Sequence, residues 1–197
     1  MEPHLVVGLG NPGLRYARSP HNIGFLVLDR LGEREGVRIS RKDSKALVGS
    51  GEIAGTPVLL AKPQTYMNLS GVSVRSLMEK HSVAADRLIV VYDDHDLPWT
   101  AVRIRPRGSA AGHHGMESII ASLGTSEFVR VRLGINPGAG KADPEFLLKP
   151  FRREQRKQLG DLLDYAAQTL ASILSEGVEM AMTKFNRRAQ GIQSEEE

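Results

Sequence analysis

Residues 4–32 read HLVVGLGNPGLRYARSPHNIGFLVLDRLG, and the way this stretch divides into strand, turn and helix decides the fold. Val6 and Val7 form a short β-branched run that predicts a buried first strand. Gly8, Gly10 and Gly13 follow at the spacing of a dinucleotide-binding loop. Such a loop needs its helix to begin among the glycines, so that the helix N-terminus faces the pyrophosphate. Here LRYARSP intervenes, and Ser19-Pro20 is the helix-start signal, with Ser19 at the N-cap and Pro20 at the first helical position. Asp29 comes too soon after Gly13, and too deep in the helix, to bind a ribose. The glycines instead predict an irregular turn off a central strand that displays Asn11 in a crevice. His21 is expected in the first turn of the next helix, where unpaired N–H groups disfavour an imidazolium and leave a ring able to accept a proton. A histidine so placed serves either as a structural hydrogen-bonder or as a base.

Outward from this stretch, Leu88 to Tyr92 is a second short apolar run, and both runs read as central strands covered on two faces. Leu47 to Ile53 and Pro57 to Ala61 flank Ala54-Gly55 as a hairpin. Helices are expected at Asn22 to Glu35, Ser70 to His81 and Gly115 to Leu123, and further strands at Ala101 to Arg105 and Phe128 to Ile135. This order predicts an α/β fold: a single three-layer domain, with a twisted mixed sheet and helices on both faces. Towards the C-terminus, Leu159, Leu162, Leu163, Ala166, Ala167, Leu170, Ile173 and Leu174 recur at helical spacing and predict one amphipathic helix packed on the body. Arg187 and Arg188 close a second, short helix. The domain is thus expected to span 1–188, its C-terminal helices 152–188, with 189–197 as a frayed acidic tail.

The 197 residues, 41% hydrophobic and 25% charged, suffice for one core and are few for two. No run reaches the roughly 18 apolar residues of a membrane span, and MEPHLVVGLG lacks the basic-then-apolar pattern of a secretory signal, so a soluble cytoplasmic protein is expected. The absence of cysteine removes disulfides, thiolate zinc sites and cysteine nucleophiles. No G-x-S-x-G elbow occurs either, which disfavours a serine hydrolase. The formal net charge of +3 includes Glu195, Glu196 and Glu197, so the folded body is more basic than the total; that fits a polyanionic partner without requiring one.

Three further segments carry chemistry: Pro63 to Gly71 (PQTYMNLSG), Tyr92 to Pro98 (YDDHDLP) and Gly112 to Gly115 (GHHG). On residue type alone, Asn68 is either the cap of the helix beginning near Ser70 or an amide that donates to a developing oxyanion. Asp93, Asp94 and Asp96 are loop caps, metal ligands or a histidine's partner. Together with GLGNPG, Tyr16 and Pro20 to Gly24 (PHNIG), these segments closely resemble the bacterial peptidyl-tRNA hydrolase family, in the same order and over nearly the whole chain. That resemblance implies a single α/β domain, acting as a monomer, that cuts the ester joining a peptide to the 3′-terminal adenosine of tRNA without a metal or other cofactor. It implies His21 as the base that activates water, Asp93 as the group that orients and polarises it, and Asn11 and Asn68 as the amides that place carbonyl and water. Met67 would line the peptide site, and Tyr16, Tyr66, His113 and His114 would also touch substrate. His114 departs from the family, which has asparagine there, and its role is open. The loop Arg107 to Ala111 is poorer in glycine than the family pattern, and Pro20 replaces a commoner basic residue.

Arg103 and Arg105 alternate along one expected strand and Arg130 and Arg132 along another, so each pair projects to one face. Either these are solvated edges or they form a phosphate clamp. The resemblance matches Arg105, Arg132 and Lys141 to residues that hold the tRNA 5′ phosphate, and implies contact with the acceptor stem and 3′ end through backbone charge and shape. Arg152, Arg153, Arg156 and Lys157 begin the long helix. Two other readings remain at this level: a metal-dependent phosphoesterase built on Asp93, Asp94, His95 and Asp96, and a noncatalytic RNA-binding module disabled by His114.

Overall fold

The computed structural model describes residues 2–136, 138 and 144–186. Its centre is strand β1 (His4–Gly8), which pairs in parallel with β4 (Thr56–Pro63) on one side and β5 (Leu88–Pro98) on the other. Strand β7 (Val129–Asn136) extends the parallel set beyond β5. The sheet is completed by antiparallel strands, with β2 (Arg41–Asp43) and β3 (Ala46–Ile53) at one side and β6 (Val102–Arg105) at the other, in the order β2-β3-β4-β1-β5-β7-β6.

Side chains alternate across this sheet and divide the apolar residues into two cores. Val6, Val91 and Val131 face α1 (Ile23–Glu35), α4 (Arg153–Glu176) and α5 (Val178–Phe185). Leu5, Val7 and Val90 face α2 (Ser70–His81) and α3 (His114–Leu123). Because β1 is covered on both faces, its sequence is a continuous apolar run with no polar alternation. The sheet is mixed and has helices on both faces, in a single domain. Among the described residues no helix is long and apolar enough to cross a membrane.

The opening glycines serve close packing. A Cβ on Gly24 would lie 2.4 Å from the Leu9 nitrogen and 2.5 Å from the Val91 oxygen, so only glycine lets α1 cross directly over the ends of β1 and β5.

Several boundaries differ from expectation. Helix α1 begins at Ile23, and Pro20–Asn22 form a separate 3-10 turn. Ser19 does not cap it, because its hydroxyl donates back to the Tyr16 carbonyl at 2.8 Å. Strand β2 was not expected, since Arg41-Lys42-Asp43 has no apolar alternation to mark it. Its turn is held from outside: the Ser73 hydroxyl donates to the Ser44 carbonyl at 2.7 Å, and the Gln64 N–H donates to the Lys45 carbonyl at 2.7 Å. Asp93, Asp94 and Asp96 lie within β5 rather than in a loop after it. Lys141, Arg187, Arg188 and the expected tail 189–197 lie outside the described residues.

Candidate active site

The parallel strands β1, β4 and β5 deliver Asn11, Met67 and Asp93 to one end of the sheet, where α/β folds place their sites. Strand alternation sends Asp93 towards the start of α1 and Asp94 towards the opposite face. Asp93 is buried, and two imidazoles converge on it: His21 through Nδ1, 2.9 Å from Oδ1 and 3.0 Å from Oδ2, and His113 through Nε2, 3.0 Å from Oδ1.

The protons in this chain can be assigned from its ends. His113 is the N-cap of α3, and the Met116 N–H donates to its Nδ1 at 3.3 Å. That nitrogen therefore carries no proton, so Nε2–H must donate to Asp93. His21 likewise donates Nδ1–H to the ionised carboxylate, which leaves its Nε2 lone pair as the basic end of the chain. The two rings stand 5.0 Å apart, and the Tyr92 ring meets His113 edge-on at 4.9 Å.

Burial alone would push the His21 pKa down. The charge of Asp93 and its hydrogen bond outweigh burial, and the ring ends above the ordinary histidine value of 6.5. This reverses the expectation from helix position: His21 sits on the 3-10 turn before α1, and its carboxylate partner dominates. Burial would raise the Asp93 carboxyl, but the two histidines hold it well below the usual carboxylate range.

Asn11 is fixed by two other residues. Its N–H donates to Asn22 Oδ1 at 2.9 Å while Asn22 Nδ2 donates to the Asn11 carbonyl at 2.8 Å. The Met67 N–H then donates to Asn11 Oδ1 at 2.9 Å. A backbone N–H can only donate, so the carboxamide orientation is set, and Nδ2 has no hydrogen-bond partner among the described residues. Asn22 lay within the PHNIG segment, but its job of holding Asn11 depends on a contact that the sequence does not display. Gly115 completes the wall: a Cβ there would come within 2.6 Å of Met67 Sδ and 3.1 Å of His113 Cε1.

The structure thus brings His21, Asp93, Asn11, Met67 and His113 together. His113, expected to touch substrate, is occupied by Asp93 and the α3 backbone. Asn68 is exposed beside Met67 on a 3-10 turn and caps no helix; Leu69 holds the N-cap position of α2 without a side-chain bond. Tyr66 is 65% exposed, and Tyr16 is half-buried with the Arg15 guanidinium 5.6 Å from its ring centre. His114 is exposed and pairs with Glu117 at 3.1 Å, not with Asp93.

One donor atom each from His21, Asp93 and His113 lies within 4.8 Å of the others, a spacing a metal could use. The proton assignment works against it, since the Met116 cap keeps His113 Nε2 protonated where a cation would need its lone pair. Nor do the acids of β5 converge. Asp94 Oδ1 accepts from the Asp96 N–H at 2.8 Å and the carboxylate pairs with Arg132, while Asp96 pairs with His95 at the surface.

The four arginines share the α3 side of the sheet, because Val102, Ile104, Val129 and Val131 fill the other. Arg103 stands opposite Arg132 and Arg105 opposite Arg130. Arg130 is unavailable to a ligand: it is 1% exposed, donates to the Ser109 and Ser126 carbonyls, and stacks on Phe128. Arg132 pairs with Asp94, whereas Arg103 and Arg105 have no partner among the described residues. Arg152 lies over the Phe146 ring, and Arg153, Arg156 and Lys157 are exposed.

The family described as Peptidyl-tRNA hydrolase matches residues 5–194. A relative from Solibacter usitatus with that name is 58% identical over 193 residues, covering 98% of each chain. One from Carboxydothermus hydrogenoformans is 46% identical over 93% of this chain and 98% of its own. The crystal structure of peptidyl-tRNA hydrolase from Acinetobacter baumannii aligns with a TM-score of 0.86 at 30% identity, covering 95% of this chain and 96% of that one.

Proposed function

Since the chain belongs to the peptidyl-tRNA hydrolase family and is a hydrolase of peptidyl-tRNA, we propose that it cuts the ester at the 3′-terminal adenosine with a water activated by His21. His21 Nε2 takes a proton from water as the oxygen attacks the ester carbonyl. Asp93 holds the ring in the tautomer that leaves Nε2 free and stabilises the imidazolium that forms. The Asn11 amide nitrogen donates to the developing oxyanion, and Asn68, exposed next to Met67, would supply a second amide. Collapse expels the ribose 3′-oxygen, which takes the proton back from His21. No covalent intermediate is needed. The observation that carries this reading is the chain from Met116 N–H through His113 and Asp93 to His21, which supports His21 Nε2 as the free, basic end.

Arg105, Arg103 and Arg132 would hold the 5′ phosphate and acceptor stem, with Lys141 a further candidate from the sequence. The guanidiniums of Arg103 and Arg105, unpaired among the described residues, suit phosphate, and binding through them reads charge and shape with little base recognition. Tyr66, Met67 and Tyr16 would border the peptide, and His114 would stand at the mouth. Every residue in this scheme comes from one chain, so a monomer suffices, and its substrate arises from translation in the cytoplasm.

The test is His21→Ala against diacetyl-lysyl-tRNA. Turnover should fall by roughly 10² to 10⁴-fold, the usual worth of a general base, with tRNA affinity nearly intact. Near-normal turnover would overturn the assignment.

A further inference from the structure

Strand β6 is four residues long and lies at the edge of the sheet, with β7 on one side only. Such a strand is marginal by itself, and an open edge invites fraying. Its outer side is nevertheless occupied. The Ile104 N–H donates to Asn186 Oδ1 at 2.6 Å, and Asn186 Nδ2 donates to the Ile104 carbonyl at 3.1 Å, so one carboxamide takes the place of a neighbouring strand. Asn186 follows α5, whose end is tied to α4 by the Tyr165 hydroxyl donating to the Phe185 carbonyl at 3.2 Å.

The direction of these bonds has an electrostatic corollary. If the Ile104 backbone groups point outward, those of Arg103 and Arg105 point at β7, making Arg103–Arg132 and Arg105–Arg130 the directly hydrogen-bonded pairs, with α-carbons about 5.5 Å apart. Like charges set opposite one another push the strands apart. Arg130 and Arg132 are relieved by carbonyls and by Asp94, but Arg103 and Arg105 are not. The strand that carries the two guanidiniums unpaired among the described residues is therefore the one that most needs an external hold.

We propose that Asn186 is a positioning residue for tRNA binding: its carboxamide clasps the outer edge of β6 so that Arg103 and Arg105 meet the nucleic-acid backbone in register with Arg132. The proposal rests on the phosphate-clamp reading above. Asn186 need not touch tRNA, and the ester-cleaving residues are at the ends of other strands, so its loss should weaken capture of the large substrate and spare the chemical step.

The experiment uses the full chain and two substrates, diacetyl-lysyl-tRNA and a small N-acyl-aminoacyl ester of adenosine that lacks the tRNA body. Asn186→Ala should raise KM for the tRNA substrate about threefold to tenfold, the scale of one or two net hydrogen bonds, with kcat unchanged. Cleavage of the small ester should not change. Asn186→Gln, which keeps both amide groups on a longer arm, should recover part of the loss. Combined with Arg105→Ala, Asn186→Ala should add less than its separate effect, because it acts through the same strand. An unchanged KM in Asn186→Ala alongside a raised KM in Arg105→Ala would sink the clasp and leave the clamp standing. Unchanged KM in both Arg103→Ala and Arg105→Ala would sink the clamp itself. Equal losses on both substrates would show Asn186 to be merely structural and overturn its positioning role.

Discussion

Replacing Asp93 by Asn keeps the size of the side chain and leaves one oxygen where two imidazole N–H groups now find acceptors. His113 has the prior claim on it. Its Nδ1 is committed as the acceptor of the Met116 N–H, so its Nε2 can only donate. The amide nitrogen of the new side chain then replaces Oδ2, 3.0 Å from His21 Nδ1, so that two N–H donors confront each other beside the retained Oδ1, and the conflict is relieved when the His21 proton moves to Nε2. The ring survives in the wrong tautomer, with its basic end turned inward. If general-base catalysis contributes roughly 10² to 10⁴-fold, kcat should fall by that factor, about 3 to 5 kcal/mol of transition-state stabilisation, while KM changes little. The acid limb of the rate profile should move as well. In the wild type, Asp93 lifts His21 above 6.5 against the opposing effect of burial, so with His21 as the base activity should be lost as pH falls through that raised value. Without the carboxylate charge burial alone remains, so the limb of the residual activity should move to lower pH. Steady-state hydrolysis of diacetyl-lysyl-tRNA between pH 5 and 9 measures both. A kcat within about fivefold of wild type, or a limb that moves upward, would refute the proton assignment; five is well short of the smallest loss expected for a missing base.

Gly24→Ala should destabilise the fold by about 1 to 3 kcal/mol in urea denaturation, because the added Cβ meets backbone on both sides, 2.4 Å from the Leu9 nitrogen and 2.5 Å from the Val91 oxygen; an unshifted midpoint would mean that α1 does not cross here as closely as described. Asp43→Asn should destabilise by about 1 kcal/mol at neutral pH, discounted because its chief partner Lys80, 2.7 Å away, is largely exposed. Hydrogen bonding from Lys80, opposed by burial and joined by His81 and Ser44, holds the Asp43 carboxyl well below its ordinary range. The stability it adds is thus present above the unfolded pKa near 4 and lost as pH falls through the folded value, so the gap between wild type and variant should close in acid; a gap independent of pH would count against the linkage. His114→Asn should change kcat/KM by no more than about twofold and stability by under about 0.5 kcal/mol, since the ring is exposed and among the described residues bonds only Glu117. A tenfold change would place His114 in the reaction.

The parts of this architecture that announce themselves in sequence are those set by periodicity. Val6 to Val7 and Leu88 to Tyr92 are apolar throughout because both faces are covered, and the repeat from Leu159 to Leu174 is the buried stripe of α4. What escapes notice is what depends on a distant partner. Ser19-Pro20 carries a sound start signal for α1, yet Asn22 is drawn away to hold Asn11, and a 3-10 turn takes up the difference. β2 is polar because it is an edge, so nothing in Arg41-Lys42-Asp43 distinguishes it from a loop. The His21 expectation failed for a similar reason: helix position is local, whereas a carboxylate 72 positions away overrides it. The adjacent histidines look interchangeable in GHHG, but one faces Asp93 and the other solvent, because the helix starts between them. Asn186 lies 82 positions from the strand it holds, at the end of a short helix with no motif to single it out.

The imidazole of His113 does two jobs with its two nitrogens, closing the first turn of α3 and steadying the buried carboxylate. Local order in that helix and the readiness of the proposed base are consequently parts of one cooperative unit. Partial fraying of α3 would free Nδ1, let the ring's proton shift there from Nε2, cost Asp93 a fixed donor, and silence the enzyme before the sheet itself lost any structure. Heat inactivation should therefore precede global melting, with α3 reporting first.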